Sequence, residues 1–94
     1  MSSERVFPAT YERVQTAATA AMSELGMNPE RDAWLGGCRS GSGRHAIAVC
    51  IERVGDAETS MTVRPRAFGV GPIALVDLSD LPDRYIDAVA RNLR

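Results

Sequence analysis

The sequence predicts an α+β fold: an antiparallel β-meander of three to four strands with two helices packed on one face. Two patterns carry this prediction. Apolar residues recur at steps of three and four in one segment near each end of the chain, and alternate with period two between those segments. Gly- and Ser-rich clusters interrupt the alternating region where a meander needs turns. A chain of 94 residues supports one hydrophobic core and leaves no room for a second, so residues 1–94 are expected to form a single domain.

Ser3 to Pro8 is expected to be extended and to form an edge strand, because the residue before a proline is pushed out of the α region. From Thr10 onward, Tyr11, Val14, Ala17, Ala18, Ala21, Met22 and Leu25 fall on one stripe of a helix. Thr10 is the expected N-cap, and Gly26 is placed to enter the left-handed region just past the helix end. Alanines at the centre of the stripe let the helix axis approach the sheet closely.

Met27 to Cys38 reads as a strand broken by Gly36 and Gly37, and residues 39–44 (Arg-Ser-Gly-Ser-Gly-Arg) read as the turn after it. His45 to Val54 alternates, with Ile47, Val49 and Ile51 on one face and Ala46, Ala48 and Cys50 on the other. Gly55-Asp56-Ala57 turns the chain, and Glu58 to Arg66 continues with Met61 and Val63 inward. A hairpin centred on Asp56 sets Ile51 opposite Met61 and Val49 opposite Val63, so the large apolar faces agree. A first hairpin centred between Gly41 and Ser42 sets Trp34 opposite Val49 on that same face. Residues 67–78 are expected to be a loop followed by a short extended piece. Asp80 caps a last helix with Pro82 in its first turn and Tyr85, Ile86, Val89, Ala90 and Leu93 as its apolar stripe.

The order strand, helix, meander, helix brings a family into view. Val6-Phe7-Pro8-Ala9-Thr10-Tyr11-Glu12-Arg13-Val14, Leu25-Gly26-Met27, Leu35-Gly36-Gly37 and Thr62-Val63-Arg64 followed by Phe68-Gly69 resemble small bacterial lipoprotein-like domains of unknown function, with a helix-grip-like β-α-β-β-β-α order. The resemblance covers nearly the whole chain and implies an accessory or binding domain with no catalytic residue to carry over. The chain departs from the pattern in having Met27 where an aromatic is common and no lipid-anchor cysteine near its start.

Composition narrows the function classes. The net charge of −1 and the scarcity of aromatics argue against nucleic-acid binding. All eleven basic residues are arginine, which removes Schiff-base and amine-nucleophile chemistry, and no enzyme activity is expected. No run of eighteen apolar residues occurs, and Glu4, Arg5, Glu12 and Arg13 stand where a signal peptide would be apolar. The sequence as it stands therefore reads as cytoplasmic; a periplasmic site, or membrane association, is expected only if a leader or lipid anchor has been removed.

No cofactor or metal site is expected. Cys38 and His45 fall near one another in the register above, but two ligands do not make a zinc site. Cys38 lies about five residues along the strand from Cys50 in that register, beyond disulfide reach at ~3.3 Å per residue, so both are expected as reduced thiols. Gly69-Val70-Gly71-Pro72 lacks the third glycine and the lysine of phosphate loops and reads as a connection. The outer sheet face offers more. Leu35, Ala46, Ala48 and Cys50 form a smooth strip beside Arg64 and Arg66, where a solvated strand would carry larger polar side chains. The leading expectation is a non-enzymatic assembly module that forms a homo-oligomer, or meets another protein partner, through that face. The alternative is a small apolar-ligand binder with a pocket under the 67–78 loop.

Overall fold

Helix α1 (Tyr11–Glu24) begins where the sequence supplies a cap: Thr10 is extended, and its Oγ1 accepts from the Arg13 amide at 3.3 Å. It ends at Leu25, and Gly26 turns the chain at φ 79°, a conformation that costs a glycine little. The computed structural model describes residues 2–30, 34, 36–43, 45–66 and 80–94. Around α1 stand β1 (Ser3–Phe7), β2 (Met27–Pro29), β3 (Cys38–Gly43), β4 (Ala46–Gly55), β5 (Glu58–Pro65) and a second helix, α2 (Leu81–Asn92). Asp80 stands at the N-terminus of α2 as expected, but its side chain makes no capping bond; Pro82 occupies the first turn.

The strands form one antiparallel sheet of five in the order β1-β5-β4-β3-β2. The α+β architecture is as predicted, with β1 and the short β2 extending the meander at its two edges. Both helices lie on one face. Val14, Ala17, Ala18, Ala21 and Met22 of α1 and Leu81, Tyr85, Ile86 and Val89 of α2 bury against Ile47, Val49, Ile51, Met61 and Val63 of the sheet. Each large side chain so buried contributes roughly 1.5–3 kcal/mol by leaving water.

The helices meet each other at alanine. Ala18 is fully buried, and the Tyr85 hydroxyl donates to its carbonyl at 2.7 Å, so nothing larger than a methyl fits between them. Ala18→Leu is expected to cost about 1–3 kcal/mol by overpacking. A thermal melt checks this; an unchanged midpoint would mean that the two helices separate more easily than their packing implies.

The hairpin β4–β5 has the expected register, with Ile51 opposite Met61 and Val49 opposite Val63. The preceding hairpin does not. Cys38 pairs with Cys50, Arg39 with Val49 and Gly41 with Ile47, so the chain reverses between Gly43 and Ala46, and Arg39, not Trp34, faces Val49. Of the strand expected over Met27–Cys38, only Met27–Pro29 and Cys38 are strand among the described residues. Residues 39–43, expected within the turn, belong with Cys38 to strand β3. The reason is that its glycines serve close packing instead of chain reversal. A Cβ on Gly41 would stand 2.9 Å from Met22 Sδ, and one on Gly43 would stand 2.5 Å from the Gly26 carbonyl oxygen. Trp34 is half-buried against the core from outside the strands. The expected extended piece at 67–78 lies outside the described residues.

Candidate interaction surface

With both helices on one face, the strand pairing defines what stands on the other. One row across the sheet carries Glu30, Ser40, Ala48 and Arg64, and the next carries Asn28, Ser42, Ala46 and Arg66. On the opposite side of the first row come Cys38, Cys50, Thr62 and Glu4, and beyond them Glu52, Ser60 and Val6. Apart from the charged residues these side chains are small.

The cysteines are not free thiols. Cys38 and Cys50 form a disulfide, with S–S 2.05 Å and Cα atoms 4.0 Å apart. The Ile51 amide donates to the Gly37 carbonyl, so the cysteines occupy the adjacent pair without hydrogen bonds, where facing residues come closest. The expectation of two reduced thiols is thereby corrected, and it failed through the register. A turn placed two to three residues too early moved Cys38 along the sheet and set it near His45. The Cys38/His45 pair falls with the same error, and no cluster of potential metal ligands occurs among the described residues.

Part of the small-residue strip is already covered. Arg66 Nη1 reaches Glu30 Oε2 at 2.7 Å, although β5 and β2 are separated in the sheet by β4 and β3. The opposite face is filled by the helices, so this ion pair crosses the outer face, over the rows that hold Ala46, Ala48, Ser40 and Ser42. Small side chains beneath it let the two long ones lie flat. Ala46 is buried, Ala48 and Cys50 are half-buried, and Arg64 is exposed with no carboxylate partner among the described residues. Leu35 lies outside the described residues.

Beside the disulfide is a shallow recess of about 300 Å³ lined by Glu4, Gly36, Cys50, Glu52, Ser60 and Thr62. Thr62 Oγ1 donates to Glu4 Oε2 at 3.3 Å, which holds one carboxylate against the sheet. The outer face therefore has a basic end at Arg64 and an acidic end at Glu52, with the disulfide and Thr62 in the flat middle row between them and Glu4 at the β1 edge of that same row. Val6, half exposed at 50%, adds an apolar contact at the β1 edge of this surface. Glu30 and Glu4 were missed as members of the surface, since only their partners' registers place them there, whereas Glu52 follows Cys50 in the alternation of β4 and was overlooked.

No family model matches the sequence, and no curated protein matches it. No described helix is long and apolar enough to cross a membrane.

Proposed function

We propose that this domain is a non-enzymatic assembly module that pairs with a second copy of itself through the outer face of its sheet, in an oxidising compartment. The observation that carries the pairing is the division of charge along that face. Take a two-fold axis lying between two stacked sheets, perpendicular to the strands and level with Cys50 and Thr62. It sets Arg64 of each copy over Ser60 and Glu52 of the other and stacks the flat middles of the two faces, while the two Glu4 carboxylates, each held to its own sheet by Thr62, face each other at the β1 edge. At the ~10 Å spacing of packed sheets, an arginine and a glutamate span the gap. The compartment rests on the disulfide, since such bonds persist outside the reducing cytosol. A lipoprotein-like accessory domain, as the family resemblance implies, fits the same setting.

Light scattering at high micromolar concentration is expected to give twice the monomer mass. Arg64→Glu and Ala48→Glu are each expected to return it to the monomer, and Arg64→Glu combined with Glu52→Arg is expected to restore association. A wild-type monomer, or a double variant no better than the single, overturns the pairing. Thiol titration of the denatured chain from its native host is expected to return no free thiol, and two free thiols overturn the compartment. The alternative pocket beneath 67–78 concerns residues outside those described.

A further inference from the structure

Where the end of β1 meets the ends of both helices, a second surface has a different character. Phe7, Ala9, Ala90 and Leu93 line a cleft of about 220 Å³ together with Arg13 and Arg94. Phe7 and Ala9 are buried beneath it, at 3% and 4% exposure, so its floor is part of the core and does not depend on surface side chains. The charge at the cleft is unbalanced. Arg5, Arg53, Arg66, Arg84 and Arg91 each face a carboxylate. Arg13 and Arg94 face none among the described residues. Arg13 Nη2 donates to the Leu93 carbonyl at 2.9 Å, which anchors that guanidinium at the cleft with one of its five N–H groups.

From this we infer that the cleft binds a small amphiphilic carboxylate, with its apolar body between Phe7 and Leu93 and its carboxylate on Arg13 and Arg94. Size sets the class. A cavity of roughly 150 Å³ holds a benzene-sized guest and drug-sized ligands need at least about 300 Å³, so 220 Å³ fits one ring or a short alkyl chain. The planar guanidinium fork suits a carboxylate by two parallel hydrogen bonds, an arrangement that a lysine would not provide. The site lies on the helical side of the sheet, at the end of β1, and it stands or falls independently of self-association.

The test is a titration with 3-phenylpropionate, followed by amide chemical shifts of the intact domain, with uncharged 3-phenylpropanamide as the comparison. Saturable shifts confined to residues 7–13 and 88–94 are expected. The amide, and the variant Arg13→Gln, are each expected to bind roughly ten- to a hundredfold more weakly, the range for losing a charge-assisted hydrogen bond. Ala90→Leu fills the cleft and is expected to abolish the shifts while leaving the melting temperature near that of the wild type. If Ala90→Leu does not fold, Arg13→Gln and the amide still decide. Equal affinity for carboxylate and amide, or shifts spread over the sheet, overturns the inference, as does the absence of saturation.

Discussion

Replacing both Cys38 and Cys50 by alanine is expected to remove about 3 kcal/mol of stability, since the bond closes a short loop and the unfolded chain regains the entropy that closure withholds. The separation between the two cysteines is 12 residues, so the loop is close in length to those from which that magnitude is taken. Against a total of ~5–15 kcal/mol for a domain of this kind, such a loss is a large fraction. It should lower the melting temperature by roughly 10–20 °C. Packing contributes little to the difference, because Cys38 is exposed and Cys50 half-buried, and alanine leaves no enclosed cavity at either position. Urea denaturation of the double variant, and of the wild type with and without reductant, checks the figure. A double variant as stable as the oxidised wild type would mean that the hydrogen-bonded pairing of β3 with β4 holds the unfolded-state loop closed without the covalent link.

The same disulfide shows where sequence reasoning reached and where it stopped. The β4–β5 hairpin was legible because large apolar residues alternate on both strands, so that only one register aligns Ile51 with Met61 and Val49 with Val63. The α1 stripe was legible because every buried residue in it recurs at helical spacing. Strand β3 offers no such signal: Cys38, Arg39, Ser40, Gly41, Ser42 and Gly43 contain no large apolar residue, and glycine and serine favour turns when nothing else is known. Met22 lying on Gly41 and the Gly26 backbone lying against Gly43 explain those glycines, and both contacts come from elements distant in sequence. The outer surface was half legible. Ala46, Ala48, Arg64 and Arg66 do share a face, but the reason for the small residues includes Glu30, whose ion pair with Arg66 closes over them. Periodicity places a residue on a face; it does not say which long side chains from other strands lie across it.

Tyr85 is expected to be the most sensitive single position in the helical layer. It is fully buried, and its hydroxyl reaches the Ala18 carbonyl in the neighbouring helix. Tyr85→Ala is expected to cost about 3–5 kcal/mol through the cavity it leaves, whereas Tyr85→Phe loses one hydrogen bond and about 1 kcal/mol. Burial also drives the phenol far above its ordinary value of 10.0, with the Arg39 charge opposing the shift in part. The sign of the consequence follows from linkage. Below the unfolded value both states keep the proton and the buried neutral phenol contributes its full stability. Above it the unfolded chain gives up a proton that the folded one retains, so stability falls as pH rises, by about 1.4 kcal/mol per pH unit. Comparing wild type with Tyr85→Phe isolates this residue, because Tyr11 and the arginines are common to both. Between pH 9 and 11 the wild type is expected to lose more stability than Tyr85→Phe in urea denaturation. Parallel decline of the two proteins would show that the phenol ionises in the folded state, and hence that α1 and α2 admit water at their contact.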